Sequence, residues 1–359
     1  MSESEDSAQT FDVACAKGPG NQCGRSPTSH SQEAETDSLP TVRYCFTQRG
    51  ISDDAAKFLV KSWRKGTRKQ YACYLTRWKK FCSQRKVDFS LPSLADVLDF
   101  LLSLVKAGLS YSSVHTARCA LSTIVLLNDQ PCGSHPMVSR FLKAVFQENP
   151  PVPKYLEVWS VKDVLTFLQS LQTMFISLKE LTIKLVLLVS LTTAQRGQTL
   201  HLLSLNNMTE KKSDITFHFA DLVKQSKPGR LTKPLVLKEY SVDRRVCVVT
   251  VLREYIRRTA DLRGSEKKLL ITYIKPYKAV SRDTVSRWIR TGLAQAGIDT
   301  NVFAAHSTRA AATSAARQAS VPIRTILDKA DWSSEHTFAS FYDKTIVARD
   351  NCFAEAILQ

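Results

Sequence analysis

Apolar residues recur along most of this chain at helical spacing. In GTRKQYACYLTRWKKFCSQRKV (66–87), Tyr71, Tyr74, Leu75, Trp78, Phe81 and Cys82 follow one another at i, i+3, i+4 and i+7. That spacing makes one apolar stripe on a helix, and Thr67 with Gln70 has the spacing of a capping box at its start. PSLADVLDFLLSLVKAG (92–108) opens on Ser93 with Asp96 three residues on, and closes near Gly108. SSVHTARCALSTIVLLN and HPMVSRFLKAVFQ supply two further helices before ENPPVPKY (148–155) interrupts the pattern. Proline cannot continue a helix, so this stretch reads as a linker between domains.

Beyond the linker, helices are expected at about 160–172, 177–191, 248–263, 281–296, 304–318, 321–330 and 334–342. Between the second and third, SDITFHFADLVKQSKPGRLTKPLVLKEY alternates apolar and polar positions on both sides of SKPGR. This reads as a β-hairpin with a Pro-Gly turn. The organisation expected is a leader over 1–40, a helical domain over 41–147, a linker over 148–155, a second domain over 156–342 and a short amphipathic tail over 343–359. The fold class is mainly α with a small β-hairpin or sheet.

The 359 residues suit two domains, and 43% hydrophobic residues suffice for real cores. Charge sharpens the picture. The chain carries +17, but residues 1–40 hold two basic and seven acidic side chains; setting that net −5 aside leaves +22 on the remainder. The leader, poor in large apolar residues, has the composition of a disordered segment. A surplus of this size on a folded body favours a polyanionic partner. It is densest over 57–86, with eleven Lys or Arg and no acid. The aromatic stripe turns toward the core, so Lys61, Arg64, Lys65, Arg68, Lys69, Arg77, Lys79 and Lys80 face outward as candidates for phosphate contact.

The nine cysteines are odd in number and show neither CxxC nor zinc-finger spacing, which fits reduced thiols in a cytosolic or nuclear protein. The acidic start MSESEDSAQT lacks a signal peptide's apolar core, and the apolar run LTIKLVLLVSL contains Lys184 and is too short for a bilayer. No membrane, metal or small-molecule partner is expected.

AAHSTRAAATSA (304–315) places His306 and Arg309 three apart in an alanine-rich segment. On a helix both project from one side and suit an anion. Upstream, TTAQRGQTLHLLSL sets Arg196 just after the buried helix, and QSKPG sets Lys227 at the hairpin tip. Downstream, DKADWSSEHTFASFYDK adds Trp332 and Tyr342.

In this order and spacing, these segments resemble the tyrosine recombinase (phage-integrase) superfamily. AQRGQTLHLL looks like its first arginine box, QSKPGRLTKPLVL like its lysine-bearing hairpin, HSTR like its His-x-x-Arg box and WSSEHTFASFY like its His/Trp-to-Tyr segment. QRGQTL, SKPG and the Trp-Ser-Ser run look most like recombinases of DIRS-type or Ngaro-type retrotransposons, or a host gene derived from one. The likeness covers roughly 45–345 and implies a helical core-binding domain followed by a tyrosine-recombinase-like catalytic domain.

By that resemblance, Tyr342 is the nucleophile and Arg196 and Arg309 clamp the scissile phosphate. Lys227, or Lys224 in its place, protonates the leaving oxygen, while His306 and Trp332 support the phosphate. Exchange through a covalent phosphotyrosine on double-stranded DNA follows, with no ATP, metal or other cofactor. Transposon integration in the nucleus by a homo-oligomer, a tetramer on DNA, is the biological form it implies. In it, the tail residues Ile346, Val347, Phe353, Ile357 and Leu358 dock on a neighbouring protomer or on their own domain. Two departures stand out. The family's usual acid three residues after the first arginine is Thr199 here, and Trp332 and Tyr342 are ten residues apart, one more than in many members. The alternatives are a DNA-binding protein that has lost catalysis and a type IB topoisomerase-like nicking and religating enzyme.

Overall fold

A computed structural model describes residues 39–152, 155–223, 226, 228–229 and 232–346. The chain divides into two compact units between Val152 and Pro153.

The first unit is helical: α1 (Pro40–Gln48), α2 (Asp53–Val60), α3 (Lys65–Arg85), α4 (Leu94–Lys106), α5 (Tyr111–Leu121) and α6 (Pro136–Glu148), with a two-residue hairpin, β1 (Leu126–Leu127) and β2 (Gln130–Pro131), between the last two. Leu39 is 1% exposed and Pro40 occupies the first turn of α1, so folded chain begins inside the stretch assigned to the leader; the rest of that stretch lies outside the described residues. The α3 stripe is the spine of this core. Leu75, Trp78 and Cys82 are buried, with Tyr71, Tyr74 and Phe81 packed partly against them. Trp78 meets Phe100 of α4 edge-on at 5.1 Å and donates its indole N–H to Phe89 O at 2.9 Å. The expected capping box at Thr67 does not form. The helix starts three residues earlier, behind Arg64, whose side chain makes no cap hydrogen bond. The box at Ser93 and Asp96 is present, each side chain bonding the other's backbone N–H.

The second unit contains β3 (Glu157–Val158), α7 (Val161–Ser170), α8 (Leu178–Thr193), α9 (Gly197–Leu202), β4 (Met208–Glu210), β5 (Asp214–Phe217), β6 (Leu235–Lys238), α10 (Val248–Thr259), α11 (Arg282–Gln295), α12 (Ser307–Gln318), α13 (Ile323–Ala330), α14 (Glu335–Phe341) and β7 (Thr345–Ile346). Helix α8, capped by Ser177 and Glu180, runs through the centre with α10, α11 and α12 packed around it. Gly292 lets α11 approach α8 closely, because a Cβ there would meet Leu187 Cδ1 at 2.5 Å. The sheet is antiparallel in the order β4-β5-β6, with Phe217 opposite Leu235. β5 and β6 pair antiparallel, as the expected hairpin does. The strands are four residues each, and the loop that joins them is described at 218–223, 226, 228–229 and 232–234. Within that loop Gly229 takes φ +75°, the left-handed conformation a Pro-Gly turn uses. A two-stranded parallel ladder pairs Glu157 with Thr345 and Val158 with Ile346, so the start of this unit is joined to the segment just past Tyr342. Ile346, placed in the tail by sequence, therefore pairs within its own domain; Val347, Phe353, Ile357 and Leu358 lie outside the described residues.

Among the described residues the six cysteines are free thiols, no cluster of His, Cys, Asp or Glu could hold a metal, and no helix is long and apolar enough to cross a membrane.

Several charged side chains are buried in the second unit, Lys184 the most fully. Lys184 of α8 is fully buried, donating to Leu171 O, and burial pulls its pKa down to about 8. The unfolded chain, with an ordinary lysine near 10.4, binds more protons between these values, so this group makes stability rise as pH rises through that window. Lys184→Met is therefore expected to gain on the wild type near pH 7 and to lose that advantage by about pH 10. Urea melts of both proteins across this range check it.

Candidate active site

The site forms where α8 stops. Ala194 ends the helix in the left-handed conformation (φ 50°), turning the chain so that Arg196 becomes the N-cap of α9. Gln195 donates its side-chain N–H to Lys329 O at 3.0 Å, fixing this corner to the end of α13. Thr199 is buried in the first turn of α9, its N–H bonded to Arg196 O at 2.8 Å.

The second arginine comes from α12. This helix begins at Ser307 rather than 304, and His306 is its N-cap. Ala310 and Ala311 are buried, so small side chains let α12 lie close on α8. Its start is held by Trp159, whose indole N–H donates to Ser307 Oγ at 2.8 Å. Arg309 is 1% exposed and spends one N–H, Nη2, on Ala330 O at 3.0 Å. The imidazole of His306, which makes no cap bond, reaches the other way and lies 3.0 Å from Tyr342 Oη.

Tyr342 follows α14 as its C-cap and is 8% exposed. Its ring lies 4.3 Å from that of Trp332, and the Arg309 guanidinium stands 5.5 Å from it and 4.8 Å from the Trp332 ring. A hydrogen bond also links Arg196 to Tyr342. Arg196, His306, Arg309, Trp332 and Tyr342 are thus one cluster. Lys227 and its alternative Lys224 lie outside the described residues.

The electrostatics of this cluster are unbalanced. Burial, and then the neighbouring charge of Arg196, push Arg309 down to about 9, against the pull of Tyr342 and Asp331. Burial pushes Arg196 down as well. Arginine does not give up its proton in proteins, so two cations stand close together here. Arg309 Nε, Arg309 Nη1 and Trp332 Nε1 are buried donors with no acceptor among the described residues. Buried donors are nearly always satisfied. A tetrahedral anion would satisfy several of these at once, beside a phenol already hydrogen-bonded to an imidazole.

One positioning residue escaped the sequence reading. Ser314 of α12, 2% exposed, donates to Tyr342 O at 2.8 Å and accepts from Lys344 N at 3.0 Å. It clamps the backbone on both sides of Asp343. Nothing in its alanine-rich surroundings distinguishes it from a helix-filling serine. Ser314→Ala removes both of these hydrogen bonds and should cost about 1–2 kcal/mol of stability. Thermal melting of the variant beside the wild type checks it.

In the first unit, Lys61, Arg64, Lys65, Lys69, Arg77, Lys79 and Lys80 are exposed, while Arg68 is half-buried with its Nε enclosed. Lys65, Lys69 and Lys80 fall within about 60° on an ideal helix, opposite the core stripe. Lys79 lies over the Phe89 ring at 4.9 Å. Lys57 and Arg85, at the two ends of the basic run, pair with Asp53 and Asp99.

No protein-family model and no curated protein matches the sequence. Solved structures do match the fold. The XerH site-specific recombinase bound to palindromic difH substrate, in a post-cleavage complex, is similar with a TM-score of 0.53 at 16% identity, over 84% of this chain and 79% of that one. The Tn1549 transposon integrase in complex with transposon right-end DNA is similar with a TM-score of 0.52 at 13% identity, over 88% of this chain and 98% of that one. At these identities the likeness establishes the fold alone: mainly helical with small sheets, arranged as in these recombinase and integrase structures.

Proposed function

We propose that this chain is a tyrosine recombinase that exchanges DNA strands through a covalent 3′-phosphotyrosine. The observation that carries the reading is the meeting of Arg196, His306, Arg309 and Trp332 around the Tyr342 hydroxyl, with buried donors short of an acceptor. The two guanidiniums hold the non-bridging oxygens of a phosphodiester and stabilise the charge that builds there in the transition state. Tyr342 Oη attacks phosphorus, the bond to the 5′ oxygen breaks, and the phenol proton passes to His306 Nε2. The departing 5′ oxygen takes its proton from Lys227, or from Lys224. A 5′ hydroxyl from another strand then attacks the phosphotyrosine and releases Tyr342. One phosphodiester replaces another throughout, so the exchange needs no ATP.

The basic face of α3 is the counterpart in the first unit, holding duplex DNA by its phosphates. Lys65, Lys69 and Lys80 together replaced by Gln should weaken binding to all sequences alike. The salt slope should fall by about 0.9 for each phosphate left without its lysine. Filter-binding titrations at several salt concentrations measure this. Integration of a transposon of the DIRS or Ngaro kind, in the nucleus and by a tetramer on DNA, is the form in which we expect this chemistry to operate. Ile346 is pinned in its own unit, so any segment exchanged between protomers begins beyond it.

The test is incubation with nicked duplexes of randomised core sequence, in which cleavage releases a short strand and traps the adduct. A detergent-stable protein–DNA complex mapped to the Tyr342 peptide is the expected result. Binding with no adduct would identify a DNA-binding protein without catalysis. An adduct together with plasmid relaxation, but no strand exchange, would identify a topoisomerase-like enzyme.

A further inference from the structure

Two buried or half-buried guanidiniums side by side repel each other, and something must hold them together before any phosphate arrives. Thr199, in the first turn after Arg196, is neutral. The C-terminal end of α13 faces both cations instead. Its last carbonyls are occupied in order: Lys329 O accepts from Gln195, next to Arg196, and Ala330 O accepts from Arg309. A helix C-terminus is already the negative end of its dipole.

The next residue is Asp331. It takes φ 53° and ψ 48°, with Trp332 N bonded back to Leu327 O at 2.9 Å. Glycine or asparagine is the usual occupant of such a turn. What aspartate adds over asparagine is charge. Asp331 is half-buried and lines a cavity of about 270 Å³ together with Gln195 and Thr199. Its charge favours the protonated form of both Arg196 and Arg309. The other carboxylate of that cavity, Asp328, is 2.8 Å from Lys233 on the arm leading into β6.

We propose that Asp331 is the positioning residue of this site, a fixed carboxylate at the end of α13 that holds Arg196 and Arg309 in register for one phosphate. The proposal rests on the functional reading above. It makes the turn between α13 and Trp332 an electrostatic part, so that a single residue sets the place of both arginines and of the indole that follows it.

The experiment is a double-mutant cycle on the full-length chain. Asp331→Asn keeps the left-handed turn and removes the charge; Thr199→Asp puts a carboxylate in the first turn of α9, beside Arg196. Two quantities are measured: the single-turnover rate of adduct formation on the trapping duplexes, and the melting temperature without DNA. Asp331→Asn is expected to slow adduct formation ten- to a hundredfold and to lower the melting temperature. Adding Thr199→Asp should restore at least tenfold of the rate and recover the melting temperature. A mere capping role predicts the opposite sign, since Asn suits the turn at least as well. An unchanged rate and an unchanged or higher melting temperature for Asp331→Asn would overturn the proposal. So would a double variant no better than the single one. Should Thr199→Asp fail to fold, Asp331→Glu takes its place and must keep at least ten times the Asp331→Asn rate. A wild type that forms no adduct at all defeats the functional reading, while the melting cycle still decides whether Asp331 holds the arginines.

Discussion

Tyr342→Phe is expected to abolish the covalent adduct while leaving DNA affinity where it was. The change removes one oxygen. That oxygen is the only atom of the ring able to attack phosphorus, so the loss should reach the detection limit. The fold should hardly notice. The ring keeps its place against Trp332 at 4.3 Å, and Ser314 grips the backbone, which does not change. The lost partner, His306, is exposed and can turn to water, so the cost in stability should be no more than about 1 kcal/mol. Gel-shift titration, thermal melting and adduct trapping on the same preparation separate the three quantities.

Arg309→Met should show the reverse balance, with activity lost and stability gained. Removing one preorganised donor from an anion site costs on the order of 10²–10³-fold in rate, and Arg309 offers two unspent N–H groups to the site. Yet the same guanidinium is 1% exposed, beside a second cation, and bonded to a single carbonyl. Replacing buried charges by apolar side chains of similar length is often stabilising. Offset by the stranded Ala330 carbonyl, a net gain of about 1–2 kcal/mol is expected, with about 2–4 °C in melting temperature for each kcal/mol. A variant that melts earlier than the wild type would show that the arginine is a structural strut and not a charge held ready for an anion.

Periodicity made the scaffold legible where one face of a helix is wholly apolar. The α3 stripe and the buried run of α8 could be read directly, because burial there leaves no freedom of face. Ends were harder. Ser93 with Asp96 signals a true start, but α3 begins at an uncapped lysine, and the better-looking Thr67 lies inside the helix. The hairpin was recognisable by composition but not in length. β5 stops at Phe217 and β6 starts at Leu235, although the apolar and polar positions that suggested strands on both sides of SKPGR reach further in.

The site divides in the same way. Arg196, His306, Arg309, Trp332 and Tyr342 carry chemistry that stands out against bland neighbours, and the chain brings them together. Ser314, Trp159 and Asp331 do not stand out. Their work depends on which atoms lie opposite them, Tyr342 O for Ser314, Ser307 Oγ for Trp159 and the Arg196 and Arg309 guanidiniums for Asp331, and no local pattern encodes that.

The ladder between Glu157–Val158 and Thr345–Ile346 has a practical corollary for protein engineering. The entry and exit of the second unit run side by side, within one strand spacing of each other. A permuted gene that joins these two strands and opens the chain in the 239–243 turn would place Tyr342 ahead of Arg196 in the order of the chain. The pocket itself would be untouched. Adduct trapping with such a rearranged protein would show whether the order of these segments along the chain matters to the proposed reaction.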